Sequence, residues 1–217
     1  MPIVHAFECG PVATMCYLVC NPALAHAYVV DAPFGCTQPV MEEVDRQGCT
    51  ITDILLTHTH WDHTADCAGL ASATGAKVVV HAADLFRLID PMKHTIWPLP
   101  FTIAPVLNAI PLDGVQGVLE LGGGQAPLRF IHTPGHTEGG MCFIDDASRY
   151  VFAGDTLFRG SVGRVDLPGG DAATLLEAIR TRLFALPDDM IVFPGHGPTT
   201  TIGDERRGNP YVGENAE

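Results

Sequence analysis

Ile54-Leu55-Leu56-Thr57-His58-Thr59-His60-Trp61-Asp62-His63 places four side chains of metal-ligand type within six residues, directly after an apolar run. The run reads as the end of a buried β-strand, and a helical pattern spans Thr64 to Thr74, so the cluster sits at a strand-to-helix junction. In an extended stretch, side chains two residues apart point the same way, which lets His58 and His60 converge on one ion. As the chain turns into the helix, Asp62 and His63 face a second position nearby. Burying these four groups together without an ion would be costly in desolvation and repulsion, so the pattern points to metal.

Three later strand ends repeat the theme. Arg129-Phe130-Ile131-His132 leads into Thr133-Pro134-Gly135-His136-Thr137, Tyr150-Val151-Phe152-Ala153 into Gly154-Asp155-Thr156, and Met190-Ile191-Val192-Phe193 into Pro194-Gly195-His196-Gly197. Each puts Gly immediately before one ligand-type residue. Glycine lets the backbone turn sharply and come close to an ion, and strand-end loops are where layered α/β folds build their sites. With the first cluster they make seven ligands, enough for two four- or five-coordinate ions that share a carboxylate and a water.

Outward from these motifs, short apolar runs alternate with helical patterns, which predicts a mixed α/β fold. Expected strands are Cys16–Val19, Ala27–Asp31, Asp53–Leu56, Lys77–His81, Leu128–His132, Met141–Ile144, Tyr150–Ala153 and Met190–Phe193. Expected helices run from about Gln38 to Gln47, Thr64 to Thr74, Ala82 to Ile89 and Asp171 to Phe184, the last capped by Asp171 and apolar along Leu175, Leu176, Ile179 and Leu183. Pro91–Pro111 holds five prolines and neither periodicity, and reads as a structureless lid or binding loop, or as a surface insertion. Gly122-Gly123-Gly124 marks a tight turn; with no Lys-Ser/Thr after it, a phosphate loop is not supported. No repeat and no linker divides the chain, so residues 1–217 are expected to form a single domain.

Of the 217 residues, 47% are hydrophobic and 17% charged, which excludes a disordered chain. The formal net charge of −13, with no basic run longer than Arg206-Arg207, argues against a nucleic-acid partner. Seven cysteines without a Cys-x-x-Cys pair read as mostly buried thiols of a reducing compartment. Cys9 to Val30 lacks formal charge, but Pro11, Asn21-Pro22 and His26 interrupt it, so two strands and a turn are expected there and no membrane span. With no Lys or Arg before Arg46, a secretory n-region is missing, and the expectation is a soluble cytoplasmic protein.

The His-x-His-x-Asp-His motif at His58, His60, Asp62 and His63, followed in order by Thr-Pro-Gly-His-Thr, Gly-Asp-Thr-Leu-Phe and Pro-Gly-His-Gly-Pro, resembles the metallo-β-lactamase-fold superfamily over nearly the whole chain. Gly163-Arg164 and the segment Thr201 to Arg206 are similar to the short glyoxalase II-like (hydroxyacylglutathione hydrolase-like) branch. The resemblance implies an αββα sandwich of two mixed β-sheets flanked by helices. It also implies that His58, His60 and His136 hold one metal, that Asp62, His63 and His196 hold the other, and that Asp155 bridges them. Aspartate at the bridge, where many true β-lactamases carry cysteine, argues against a native lactam substrate. Thr59 stands where longer relatives commonly have a third, non-ligating histidine. Twenty-one residues follow His196, so the C-terminal helical extension that contacts glutathione in the longer enzymes is expected to be absent and glutathione specificity is not expected.

The expected activity is therefore hydrolysis of a small thioester, S-lactoylglutathione or a related acyl-thiol, by two divalent metal ions. Zinc is the default, and iron or manganese fit mixed His/Asp ligation. Asp62 is assigned a catalytic part besides ligation, aiming the attacking water. Arg164 is a candidate for binding a substrate carboxylate through its fork, or forms an ordinary surface salt bridge. His81 and His132 are candidates to orient a ligand; Trp61 and Trp97 either wall a pocket or pack in a core. The alternative activity is a persulfide dioxygenase with one iron on His58, His136 and Asp155, a set typical of non-haem oxygenases. The oligomeric state is left open.

Overall fold

A computed structural model describes residues 2–216, and the chain divides into two compact units. The first takes residues up to Asp113 together with Glu120–Pro127. Its six strands are β1 (Ile3–Cys9), β2 (Thr14–Asn21), β3 (His26–Val30), β4 (Thr50–Leu55), β5 (Lys77–His81) and β6 (Ile110–Leu112), hydrogen-bonded in that order. The pairs β1–β2 and β2–β3 are antiparallel and joined by tight turns, whereas β3, β4, β5 and β6 run parallel. Parallel neighbours need crossovers, and the helices supply them: α1 (Thr37–Gln47) after β3, α2 (Trp61–Thr64) and α3 (Cys67–Thr74) after β4, then a 3₁₀ turn with α4 (Leu85–Ile89) and α5 (Pro91–His94) after β5. Cys16, Leu18 and Cys20 of β2 pack in one core with Val40 and Val44 of α1 and Leu70 of α3.

The second unit takes Gly114–Leu119 and the chain from Leu128 onward. Its strands are β7 (Gln116–Leu119), β8 (Leu128–His132), β9 (Met141–Asp145), β10 (Tyr150–Gly154), the hairpin β11 (Leu157–Phe158) and β12 (Ser161–Val162), β13 (Ile191–Pro194) and β14 (Thr200–Thr201). The sheet order is β14-β13-β10-β9-β8-β7, with β10 and β13 parallel and the other pairs antiparallel. Helix α6 (Ala172–Ala178) continues as a π-helical turn, Ile179–Leu183, and its buried Leu175, Ile179 and Leu183 join Ile144, Val151 and Val192 of the sheet in one core. Asp171 caps α6 by accepting from Thr174 N at 2.7 Å.

Departures from the sequence reading have local causes. The helix expected over Thr64–Thr74 is two, α2 beginning inside the histidine motif. Six strands lie outside the sequence expectation: β1, β6 and β7 are half-exposed edge strands without an apolar run, and β11, β12 and β14 are only two residues long. Pro91–Pro111 is not structureless: it holds α5 and part of β6, where Pro111 is tolerated because β6 is an edge. Trp97 is 42% exposed, so core packing does not describe it. All seven cysteines are free; Cys9 and Cys49 are half-buried and the other five buried, with burial pushing the Cys142 thiol up to about 11. No helix among the described residues is long and apolar enough to cross a membrane.

Helix α7 (Ile202–Gly208) carries a buried carboxylate, Glu205, that accepts from Thr200 Oγ1 (2.6 Å), Gly160 N (2.8 Å) and Asn209 Nδ2 (2.8 Å). Asn209 Nδ2 also donates to Ser161 O at 3.0 Å, so the β11–β12 turn is stapled to α7. Glu205→Ala orphans these donors and is expected to lower stability by about 2–3 kcal/mol in urea unfolding, with Glu205→Gln losing less. An unchanged midpoint for the alanine variant would show that these hydrogen bonds add no net stability.

Candidate metal centre

In the first unit the chain leaves β4 and is clamped at once. Thr57 N and Oγ1 donate to the two oxygens of Asp31, both at 2.8 Å, and Asp31 Oδ2 also faces His63 Nδ1 at 2.8 Å. A carboxylate accepts only, so Nδ1 carries the proton and the neutral ring keeps its lone pair on Nε2, the ligand form. Thr59 N and Oγ1 donate to Oδ2 and the backbone carbonyl of Asp84, both at 3.1 Å, which holds the residue between the two histidines in place. The ligand atoms of His58 and His60, of His58 and His63, and of Asp62 and His63 lie within 4.8 Å of each other. His63 Nε2 stands 3.5 Å from Asp62 Oδ2, which in turn accepts from Thr14 Oγ1 at 2.9 Å.

In the second unit His136 and Asp155 each follow a glycine at positive φ, Gly135 (+124°) and Gly154 (+49°). A Cβ on Gly135 would also meet Leu175 N at 2.3 Å, so only glycine fits. Gly195 before His196 does not have positive φ; its N–H instead donates to Gly154 O at 2.8 Å and ties two strand ends together. His136 Nδ1 donates to the Arg164 carbonyl at 2.7 Å, which again leaves Nε2 as the lone-pair atom. Asp155 Oδ2 lies 3.5 Å from His136 Nε2 and 3.5 Å from His196 Nε2.

These spacings fit metal. Nitrogen lone pairs aimed at a carboxylate oxygen repel unless a cation or an added proton intervenes. Bonds of about 2.0–2.2 Å at a tetrahedral ion set neighbouring donors roughly 3.3–3.6 Å apart, which brackets the observed 3.5 Å.

Several supporting residues escaped the sequence reading. Asp31 sits at φ +59°, a conformation that aspartate adopts more readily than most residues. It ends the apolar run Ala27-Tyr28-Val29-Val30, but without the glycine that precedes Asp155. Thr14 and Asp84 carry no local signal, because their partners lie 48 and 25 residues away. Arg164 contributes its backbone carbonyl to His136, while its guanidinium grips Asp166 through two bonds of 2.8 Å and holds that carboxyl down at about 2. His81 Nδ1 accepts from Ala83 N, and His132 Nε2 donates to Glu138 O.

Asp31→Asn keeps the backbone conformation but places an NH₂ group against a donor. The variant is expected to bind metal about 10–100-fold more weakly in competition with a chromophoric chelator, with unchanged circular dichroism. Equal affinity would separate Asp31 from metal binding.

Comparison with known proteins identifies the family. The metallo-beta-lactamase superfamily model matches residues 9–196. The hydroxyacylglutathione hydrolase GloC of Haemophilus influenzae is 34% identical over 86% of this chain and 87% of its own. Among solved structures, the BLEG-1 B3 metallo-beta-lactamase superposes with a TM-score of 0.88 at 31% identity, covering 97% of this chain and 99% of that one. TTHA1623 in a di-iron-bound form gives 0.83 at 35% identity, over 96% of this chain and 100% of that one. The superfamily consists chiefly of hydrolytic enzymes that bind divalent metals, often two. A match of this extent, reaching both mixed sheets and their helices, makes the chain a member of the metallo-beta-lactamase superfamily.

Proposed function

We propose that the protein is a binuclear metal-dependent hydrolase of small thioesters, glyoxalase II-like, acting on S-lactoylglutathione or a related acyl-thiol. The observation that carries the reading is Asp155 Oδ2 at 3.5 Å from two histidine Nε2 atoms, the spacing of a carboxylate that shares its ligand sphere with both. The 34% identity to a hydroxyacylglutathione hydrolase supports the substrate class. His58, His60 and His136 would hold one ion, Asp62, His63 and His196 the other, with Asp155 between them. Zinc is the proposed metal; iron is equally compatible with the donor set and is held by a close structural relative. Two bound cations supply a water acidic enough to ionise near pH 7 and positive charge for a developing oxyanion.

The chain's own residues do the rest. Asp31 and the Arg164 carbonyl hold His63 and His136 in the ligating tautomer. Asp62, anchored by Thr14, presents a carboxylate that accepts from the attacking water and aims it. A thiolate leaves with a pKa of about 8.5, so no strong general acid is required. Arg164 is proposed to bind a substrate carboxylate, in competition with Asp166.

Protein purified without added metal and then loaded is expected to hold two ions per chain. Asp155→Ala should lose both and His196→Ala chiefly one, as read by elemental analysis. Thioester hydrolysis should rise through one ionisation near neutrality and level off. One tightly held iron, with oxygen consumed in the presence of glutathione persulfide, would replace this reading by the dioxygenase. Turnover of β-lactams in preference to every thioester would replace it by a lactamase.

A further inference from the structure

Within the first unit lies a cavity of about 650 Å³ that the chemistry described above does not use. Phe34, Phe101, Pro11, Pro39 and Pro100 wall it, and Glu8 is the one charged side chain among its described lining residues. Phe34 and Phe101 stack with ring centroids 4.2 Å apart and planes 14° from parallel. The Trp61 ring lies 6.2 Å from Phe101, and Trp61 directly precedes Asp62 in the histidine motif. One ring contact therefore links the histidine motif to the cavity wall.

The walls are held in shape before anything binds. Asp66 Oδ2 accepts from Gly35 N (3.1 Å), Thr37 N (3.1 Å) and Thr37 Oγ1 (2.9 Å), which fixes the loop that carries Phe34. Three wall residues are prolines with preset φ, so little conformational freedom remains to be lost on binding. Phe34 is nonetheless 42% exposed, an aromatic face that water covers at a cost.

The lining selects the occupant. It offers apolar and aromatic surface, one carboxylate and no cation, so phosphate or carboxylate groups of a thiol carrier are repelled from it. Its volume lies in the ordinary range for small-molecule sites and far exceeds the needs of a three-carbon acyl group. We infer that this slot is the acyl-chain subsite, and that the preferred thioesters carry an uncharged, apolar acyl chain longer than lactoyl, laid past Trp61 onto Phe101 and Phe34. The inference rests on the thioesterase reading above for the identity of the chain, though not for the existence of the apolar site.

The test uses acetyl, butanoyl, hexanoyl and adipoyl thioesters of N-acetylcysteamine, a small neutral thiol, so that only the acyl part varies. Wild-type kcat/KM is expected to rise about two- to fourfold for each methylene buried, at least tenfold from acetyl to hexanoyl. Phe101→Ala and Phe34→Ala should each reduce the hexanoyl-to-acetyl ratio at least fivefold. Adipoyl, with its terminal carboxylate, should be a poorer substrate than hexanoyl, and Glu8→Lys should narrow that gap. Calorimetry with the non-hydrolysable S-hexyl thioether of N-acetylcysteamine gives a readout independent of turnover: binding with a negative heat-capacity change, weakened at least fivefold in Phe101→Ala. Hydrolysis without chain-length preference, together with no thioether binding, overturns the slot and leaves the hydrolase standing. Thioether binding that depends on Phe101, in a protein that cleaves no thioester, upholds the slot and overturns the hydrolase.

Discussion

An imidazole whose Nδ1–H is engaged as a hydrogen-bond donor keeps the Nε2 lone pair for another partner, and both ligand sets of this protein are organised by that constraint. His63 Nδ1–H donates to Asp31 and His136 Nδ1–H to the carbonyl of Arg164. Neither ring can rotate or change tautomer without breaking a hydrogen bond in a buried place, where its loss is costly. Asp31 does more than orient one ring. Its two oxygens also take both donors of Thr57, so the carboxylate that ends β3 fixes the point at which the chain leaves β4. Burial of that negative charge is offset by three hydrogen bonds, and the left-handed backbone at Asp31 is the conformational cost of aiming it.

Strand direction explains why ligand-type residues from distant parts of the sequence gather. In the first sheet β3, β4 and β5 are parallel, so the residues after their C-terminal ends, Asp31, the histidine motif and Asp84, emerge along one edge. In the second sheet β8 and β10 each run antiparallel to β9, and β10 runs parallel to β13. All three therefore end at the same edge, where His136, Asp155 and His196 follow. Carboxyl ends of like-directed strands are the general location of α/β sites because every loop there starts from a rigid, buried stem.

Support for the chemistry and room for the substrate come from different parts of the fold. The β11–β12 hairpin runs from just after Asp155 towards Arg164, whose carbonyl orients His136, and the buried Glu205 staples its turn to α7. A Cβ on Gly163 would fall 1.8 Å from the Asp155 carbonyl, so this return of the chain is possible only with glycine. The apolar cavity, by contrast, is made of the end of β1, loop residues and prolines, none of them among the candidate ligands. Changes in those loops can alter what is bound without disturbing the strand ends.

Much of this was legible in the linear chain. Four ligand-type residues in six, and Gly-His or Gly-Asp after three apolar runs, are local patterns whose meaning depends on strand ends alone, so the seven candidate ligands, the α/β class and the central strands could be read directly. Edge strands β1, β6 and β7 could not, because a half-exposed strand needs no apolar run. Asp31, Thr14 and Glu205 also stayed hidden. Asp31 and Thr14 act through partners 26 to 48 residues away and Glu205 reaches Gly160 45 residues away, and a lone carboxylate or hydroxyl in a sequence looks the same whether it faces water or a buried partner. The sequence determined which groups could bind metal. Only tertiary structure decided which nitrogen of each ring is left to do so, and which loops leave an apolar slot, because both depend on contacts between segments that the order of residues does not display.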